Sequence, residues 1–173
     1  MDKQKVIRAA LLGYGTVGSG VYALESRLKD EIVKKTGAAL EIKKILVRSL
    51  GKKREGADPS LFTDRWEDIL NDPEIGIVIE LMGGIEPART YVTEALKAGK
   101  NVVTANKDLL AEHGGELLDL AVEHGCDLLF EAAVAGAVPI VRALKQSLAG
   151  VEITEVSGIV NGTTNYILTK MSE

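Results

Sequence analysis

Cysteine, aromatic residues and long apolar runs are all scarce in this sequence. One cysteine in 173 residues excludes a disulfide framework and any metal site built from several thiolates. Aromatic residues make up 4% of the chain, which disfavours a surface for stacking nucleic-acid bases. The formal net charge is −4, whereas nucleic-acid binders usually carry a basic patch. We therefore expect no nucleic-acid partner.

The apolar runs are too short to cross a membrane. Residues 6–12 form a short run with no small-residue cleavage site after it, so we expect no signal peptide. Residues 128–141 are apolar but are interrupted by Glu131, Gly136 and Pro139. These features predict a soluble, cytoplasmic protein with no membrane partner.

The overall composition is typical of a folded domain. Apolar residues make up 46% and charged residues 27% of the chain, which excludes a disordered polypeptide. The length suffices for about one domain with its own hydrophobic core. Glycine is frequent, with 18 copies, and the positions of these glycines carry most of the functional information.

Short apolar runs alternate with segments of helical periodicity along the chain. The predicted strands are residues 6–12, 40–47, 75–81, 101–104, 126–132 and 153–160. The predicted helices are residues 16–35, a short helix capped by Thr63 and ending at 71, 86–99, one ending near 124–125, 139–148 and 163–171. Residues 49–60 are predicted to form an exposed loop. The alternation predicts an α/β fold with a Rossmann-type, doubly wound parallel sheet covered on both faces.

A glycine-rich turn follows the first predicted strand and opens the first predicted helix. Its residues are Gly13, Tyr14, Gly15, Thr16, Val17 and Gly18. In a G-x-G-x-x-G turn, the first glycine permits a tight turn, the second admits a pyrophosphate and the third lets the helix pack closely. The backbone amides of residues 15–18 are expected to face the phosphates of a dinucleotide. The alternative is a glycine-rich turn without a ligand.

The residues after the second predicted strand bear on the choice between NAD and NADP. An NAD site usually has an acid there to bond the ribose 2′-hydroxyl, but this chain has Arg48. A guanidinium can pair with a 2′-phosphate through two hydrogen bonds, so Arg48 predicts a preference for NADP. Lys52, Lys53 and Arg54 follow, and we interpret these three as a solvated loop.

Other candidates lie where the later strands are predicted to end, which is where open α/β sheets bind ligands. Gly83 and Gly84 leave room for a ribose and a nicotinamide. Lys107 has a long cationic arm that could polarise a carbonyl oxygen, bind the cofactor or transfer a proton. The alternative for Lys107 is an exposed lysine, poorly placed against the dipole of the helix that it starts. Glu131 is expected to cap the following turn or to help hold a cation.

The remaining reactive side chains have simpler interpretations. His113 and His124 are interpreted as surface or capping residues, and Cys126 as a small buried apolar residue. A nucleophilic triad or a metal-hydrolase site therefore has no support from these residues.

The order and spacing of four segments resemble homoserine dehydrogenase over essentially the whole chain. The segments are the glycine turn at 13–18, Thr-Ala-Asn-Lys at 104–107, residues 131–139, and Gly-Ile-Val-Asn-Gly-Thr-Thr-Asn-Tyr-Ile-Leu at 158–168. The resemblance implies an NAD(P)-dependent oxidoreductase that interconverts homoserine and aspartate 4-semialdehyde in threonine and methionine biosynthesis.

The resemblance also implies roles for individual residues. It implies that Tyr14, Gly15, Thr16 and Val17 touch the cofactor and that Met82 lies beside the nicotinamide. Lys107 matches a lysine with cofactor-binding and catalytic roles. A monovalent-cation site, typically sodium, is implied at main-chain oxygens of Glu131, Val134, Gly136 and Val138.

The family enzyme is about twice as long as this chain or longer, and its second domain supplies substrate-binding acids, another lysine and a dimer interface. The resemblance therefore implies an NAD(P)-binding domain at 1–150 and the truncated start of an α+β substrate domain at 151–173. We expect this chain to bind cofactor without turnover and to self-associate, and the full-length protein to be a homodimer. The alternatives are another two-domain dehydrogenase acting on an amino acid or sugar, a non-catalytic nucleotide-binding module, and a domain with a vestigial site.

Overall fold

A single parallel sheet organises the structure, a computed structural model that describes residues 5–159 and 161–173. The strands are β1 (Lys5–Leu12), β2 (Ala38–Leu46), β3 (Phe62–Thr63), β4 (Ile75–Glu80), β5 (Asn101–Thr104) and β6 (Leu128–Leu129). Their spatial order is β3-β2-β1-β4-β5-β6, and every neighbouring pair is parallel. The order reverses between β1 and β4, as in a doubly wound dinucleotide-binding sheet. The predicted fold class is therefore confirmed.

Helices and turns connect the strands. The helices are α1 (Thr16–Arg27), α2 (Lys29–Thr36), α3 (Glu67–Leu70), α4 (Ala88–Lys97), α5 (Lys107–Glu123), α6 (Ile140–Arg142) and α7 (Gly162–Ser172). The single helix predicted at 16–35 is two helices, because Leu28 leaves helical geometry at φ −103° and ends α1. Within the described residues, no helix has the length and apolarity needed to cross a membrane.

Apart from Arg8, residues 6–12 of β1 are apolar, and the last four residues of the strand are buried on both faces of the sheet. Ala10 and Leu12 join a core cluster with residues of α3, α4 and α5. Ala9 and Leu11 point the other way and join a second cluster with residues of β2 and α1. All four side chains are fully buried. This two-sided burial is what an apolar run interrupted only by Arg8 predicts for a central parallel strand.

Two sequence predictions near the sheet edges were wrong. Thr63 does not cap a helix but ends β3, where its hydroxyl donates to Asp68 Oδ2 (2.6 Å) and accepts the Arg65 amide (3.1 Å). The strand predicted at 126–132 is reduced to the two residues of β6, because β6 pairs only with Val102 and Val103 of the four-residue β5. A 3-10 turn follows directly at Glu131–Ala133.

The segment after residue 150 also departs from expectation. The described part of the strand predicted at 153–160, residues 153–159, forms no strand, and residue 160 lies outside the described residues. A strand requires a hydrogen-bonding neighbour, and no described strand pairs with this segment. Every described residue from 151 onward is exposed, including Val156, Ile159 and Met171. Because exposed apolar side chains of this kind favour association, the self-association of this chain stays a prediction.

A buried lysine stabilises the edge of the sheet opposite the glycine turn. Lys100 is 5% exposed, and its Nζ donates to the carbonyl oxygens of Asp72 and Ile75, both at 2.8 Å. Burial lowers the pKa of Lys100, and the nearby Asp72 carboxylate opposes that shift. The ammonium therefore connects the start of β5 to the start of β4.

Replacing Lys100 with methionine is expected to destabilise the domain by about 2 kcal/mol, because two carbonyls lose a charged donor. Urea denaturation at pH 7 followed by the fluorescence of Trp66, the single tryptophan, measures the change. Trp66 is a suitable probe because it is buried and stacks on Tyr91 with ring centroids 4.7 Å apart. Lys97→Met is the matched control, since Lys97 is exposed. Equal stabilities of the two variants would contradict a role for the buried ammonium.

Candidate functional site

Two glycines of the turn after β1 are required by the geometry of the backbone. Gly13 has φ +102°, and a Cβ built on it would lie 3.1 Å from the carbonyl oxygen of Leu81. A Cβ on Gly18 would lie 2.3 Å from the carbonyl oxygen of Gly13, closer than real Cβ atoms come. The first glycine thus lets the tight turn pass close to the end of β4, and the third lets α1 pack against that turn, as the motif predicts.

The second glycine faces open space instead. A Cβ on Gly15 would meet no atom within 4 Å. Gly15 is the N-cap of α1, no side chain caps the helix, and its first turn contains no acid. The adjoining Thr16 and Val17 are exposed. The amides of this helix start are therefore accessible beside an open space, which fits the phosphates of a dinucleotide.

The Tyr14 side chain binds the protein itself. Its hydroxyl donates to the carbonyl oxygen of Glu55 (3.2 Å), and its ring packs edge-on against Phe62 with centroids 5.0 Å apart. Burial raises the pKa of Tyr14, and the neighbouring Tyr22 raises it further. Tyr14 therefore ties the loop between β2 and β3 to the glycine turn, a contact that sequence reasoning missed.

Arg48 lies close to the glycine turn because β2 runs beside β1. The Gly13 amide donates to the carbonyl oxygen of Leu46 (3.0 Å), two residues before Arg48. Arg48 is exposed and accessible to a ligand. Arg54 departs from the predicted solvated loop, since its guanidinium lies 5.5 Å from the Phe62 ring centroid and donates to the carbonyl oxygen of Lys52.

The ends of β4 and β5 lie at the same edge of the sheet as the glycine turn, on the opposite side of β1 from Arg48. Met82 is half-buried, and its Cγ lies 3.4 Å from where a Cβ on Gly13 would stand. Lys107 is the exposed first residue of α5, directly after Asn106, whose side-chain oxygen caps the helix by accepting the Leu109 amide (3.1 Å). Lys107 and Met82 thus lie at neighbouring strand ends.

Sequence reasoning assigned no role to Glu80, which the structure buries completely. Its carboxylate accepts the Met82 amide (2.7 Å) and the Thr104 hydroxyl (2.6 Å). The only sequence signal is an acid at the end of the apolar strand β4. Such a signal does not identify partners, because these depend on how β4 and β5 pair.

The segment predicted to bind a cation follows β6. The Glu131 carboxylate caps α6 by accepting the amides of Val141 (3.0 Å) and Arg142 (2.8 Å). Within the described residues, no cluster of three or more His, Cys, Asp or Glu side chains forms a metal site. A cation there would need main-chain oxygens, and those of Val134 and Gly136 accept no backbone hydrogen bond from the described residues. Carbonyl oxygens are ligands that hard cations prefer.

The other reactive side chains lie away from this edge. His113 lies 3.5 Å from Glu116 on α5, and His124 is the C-cap of that helix. Cys126 packs against the core, and burial raises the pKa of its thiol. Their surface, capping and packing positions agree with the sequence interpretation.

Comparison with known protein families gives two matches along the chain. The family model described as "Homoserine dehydrogenase, NAD binding domain" matches residues 13–131. The model described as "Homoserine dehydrogenase" matches residues 139–173. Together the two models include the glycine turn and Lys107, whereas residues 132–138 lie between the two matched ranges.

Curated relatives match over nearly the whole chain. The homoserine dehydrogenase of Bacillus subtilis is 50% identical over 168 residues, which cover 96% of this chain and 39% of the relative. That of Corynebacterium glutamicum is 51% identical over 162 residues, covering 94% of this chain and 36% of the relative. The chain thus spans about two fifths of the length of these relatives.

Solved structures agree with this assignment. A homoserine dehydrogenase from Thiobacillus denitrificans superposes with a TM-score of 0.87 at 42% identity, covering 96% of this chain and 39% of that one. A hyperthermophilic archaeal homoserine dehydrogenase, solved in complex with NADPH, superposes with a TM-score of 0.79 at 27% identity and covers 96% of this chain and 56% of that one.

Proposed function

Because this chain belongs to the homoserine dehydrogenase family and contains its NAD-binding domain, we propose that it is the cofactor-binding part of an enzyme interconverting L-homoserine and L-aspartate 4-semialdehyde. This reaction belongs to threonine and methionine biosynthesis. The observation that carries the proposal is the open space at Gly15 beside the uncapped start of α1, within a segment that matches the family's cofactor domain.

The chain's own residues would bind and orient the cofactor. The amides at 15–18 would hold the pyrophosphate, with Gly13 and Gly18 bringing α1 close enough to β1 for this contact. Tyr14 would contribute its main chain, with Thr16 and Val17 alongside, and Met82 would flank the nicotinamide. When bound, the nicotinamide supplies or accepts the hydride.

Lys107 would act on the substrate oxygen. Its Nζ can hold a proton or donate a hydrogen bond where the carbonyl oxygen of the semialdehyde becomes the hydroxyl of homoserine. The exposed position of Lys107 at the start of α5, beside the strand end that leads to Met82, supports this role.

We propose that NADP is preferred over NAD because Arg48 follows β2 where an NAD site usually has an acid. The position of Arg48 beside the glycine turn supports this, as does the structural neighbour solved with NADPH.

Replacing Arg48 with alanine is expected to lower the ratio of NADP to NAD affinity by about tenfold or more, since a charged hydrogen bond contributes about 1.5–3 kcal/mol. Titrations of the purified chain with both cofactors measure the ratio. Lys53→Ala, in the same loop, is the control and is expected to leave the ratio near that of the wild type. An unchanged affinity ratio for Arg48→Ala would contradict a role for Arg48 in the preference for NADP.

We also propose a monovalent cation, such as sodium, at the main-chain oxygens of Glu131, Val134, Gly136 and Val138. The carbonyl oxygens of Val134 and Gly136 support this site because they accept no backbone hydrogen bond from the described residues, whereas those of Glu131 and Val138 each accept one. The Glu131 carboxylate would hold the segment in place by capping α6.

For the whole protein, we propose a cofactor domain at 1–150 and the start of a substrate domain at 151–173. The exposure of every described residue from 151 onward supports a boundary there. We propose a cytoplasmic homodimer, and the apolar side chains exposed on α7 are of the kind that further protein surface covers.

The proposed function is tested in two steps. The purified chain should bind NADPH or NADH in a fluorescence titration. The full-length gene product should reduce NADP⁺ or NAD⁺ in the presence of L-homoserine but not in the presence of other amino acids or of sugars. The absorbance of the reduced nicotinamide measures the reaction. Cofactor binding without homoserine oxidation would reject the reaction and favour another dehydrogenase or a non-catalytic module.

A further inference from the structure

A closed ring of hydrogen bonds connects the ends of β4 and β5. Glu80 accepts the Met82 amide with one carboxylate oxygen (2.7 Å) and the Thr104 hydroxyl with the other (2.6 Å). Thr104 Oγ1 accepts the Asn106 amide (3.0 Å), and Asn106 Nδ2 donates to the carbonyl oxygen of Gly84 (2.6 Å). The ring returns to Glu80 through the main chain between Met82 and Gly84.

The direction of each hydrogen bond in the ring is determined by its members. A hydroxyl has one proton, so Thr104, which accepts the Asn106 amide, directs that proton to Glu80. Both Glu80 oxygens therefore act as acceptors. A leucine at this position would remove both acceptors and break both bonds, whereas a glutamine could still accept the Met82 amide and donate to the Thr104 hydroxyl.

Burying an acidic side chain at this position costs free energy. Glu80 and Thr104 are fully buried and Asn106 is 4% exposed. No lysine, arginine or histidine among the described residues forms an ion pair with Glu80. A buried carboxylate held only by neutral donors costs free energy that an apolar side chain would avoid. The rest of β4 is apolar, so the core itself does not require the charge.

The ring spans the gap between the two segments that face the proposed nicotinamide site. One segment carries Met82, Gly83 and Gly84, and both glycines have left-handed backbone (φ +73° and +75°). The other begins α5 at Lys107, and Asn106 caps this helix while it binds Gly84. Among the described residues, the other hydrogen bonds between these strand ends join main-chain groups, such as that from the Ala105 amide to the Glu80 carbonyl oxygen (3.2 Å).

We infer that Glu80 is a positioning residue, which through Thr104 and Asn106 sets the spacing between the Met82 segment and Lys107 and so aligns the nicotinamide with the lysine. The inference rests on the proposed cofactor site. It assigns Glu80 no contact with cofactor or substrate. It predicts that breaking the ring impairs alignment while the phosphate-binding turn still binds the cofactor.

The test compares Thr104→Val, which removes the hydroxyl but keeps the shape, with Thr104→Ser, which keeps the hydroxyl. Binding of NADPH to the purified chain is followed by the emission of the reduced nicotinamide, which strengthens and shifts to the blue when a protein site holds the ring. Thr104→Val should change the Kd by less than about threefold, because the helix start still binds the phosphates, yet lose most of the emission enhancement. Thr104→Ser should restore it, and Glu80→Leu, which removes both acceptors, should behave like Thr104→Val.

Val102→Ala controls for stability, since Val102 is a fully buried apolar residue of the same strand. It should lower the urea midpoint but leave the emission of bound NADPH unchanged. In the full-length gene product, Thr104→Val should lower kcat by about 10- to 100-fold with little change in the KM for the cofactor, because small misplacements of reacting groups have effects of that size.

Several outcomes would overturn the inference, and one would reject only the proposed reaction. Full emission enhancement in Thr104→Val and Glu80→Leu would overturn the inference, and so would equal losses in Val102→Ala. Wild-type chain that binds NADPH without enhancement would also overturn it. Failure to oxidise homoserine would reject the proposed reaction alone, because the emission comparison still decides the role of the ring. Failure to bind NADPH or NADH would reject both.

Discussion

Gly18→Ala is expected to destabilise the domain by about 3 kcal/mol or more, since an overpacked site must move backbone rather than a flexible side chain. The added Cβ would stand 2.3 Å from the carbonyl oxygen of Gly13, at the contact between α1 and the end of β1. Urea denaturation followed by Trp66 fluorescence measures the loss. NADPH affinity should fall with it, because the helix start is displaced from the turn.

Gly15→Ala is expected to weaken NADPH binding strongly while costing little stability. The new methyl group would meet no protein atom within 4 Å, so the loss of stability should be limited to that of replacing a glycine N-cap by alanine, about 1 kcal/mol or less. The methyl group would nevertheless occupy the space proposed for the pyrophosphate, and NADPH affinity should fall by about 100-fold as the close backbone approach is lost.

Gly20→Ala serves as the control for both substitutions. Gly20 lies on the exposed side of α1 and a Cβ there also meets nothing within 4 Å. Alanine there should stabilise the helix by about 0.5–1 kcal/mol and leave NADPH binding unchanged. If Gly15→Ala binds NADPH as tightly as Gly20→Ala does, the turn is not the phosphate site.

Local features of the sequence predicted much of this site. The glycine motif predicted the turn after β1 and its tight contacts, because close packing of a strand and a helix restricts which residues fit there. The run of residues 6–12, apolar apart from Arg8, predicted a central strand because such a strand is buried on both faces of the sheet. Asn106 follows an apolar strand and precedes a helix, a position where a capping asparagine is common, although the sequence interpretation emphasised Lys107 instead.

The features that were missed all depend on distant pairing. Glu80 and Thr104 meet because they are register partners in β4 and β5, and a shift of one residue would turn them to opposite faces. Tyr14 reaches Glu55 only because the loop after β2 folds back over the turn. The two-residue β6 and the unpaired segment at 153–159 show the same dependence, since strand propensity produces a strand only beside a partner.

Lys107→Met in the full-length gene product is expected to lower kcat for homoserine oxidation by about 10²- to 10⁴-fold, the usual contribution of a positioned proton-transfer group. The Kd for NADPH should remain within about threefold, because the phosphate contacts lie at the helix start of α1. Initial rates at saturating substrate and a separate fluorescence titration measure the two effects. Lys97→Met, an exposed lysine on α4, should leave both values unchanged.

The stability of the same variant distinguishes a functional lysine from a surface one. A positive charge at the first position of α5 opposes the helix dipole, so its removal should stabilise the domain by about 0.3–1 kcal/mol. A variant that is more stable and far less active would mean that Lys107 occupies an unfavourable position because the reaction uses it. A variant that is more stable and fully active would instead make Lys107 an ordinary exposed side chain and would remove it from the proposed mechanism.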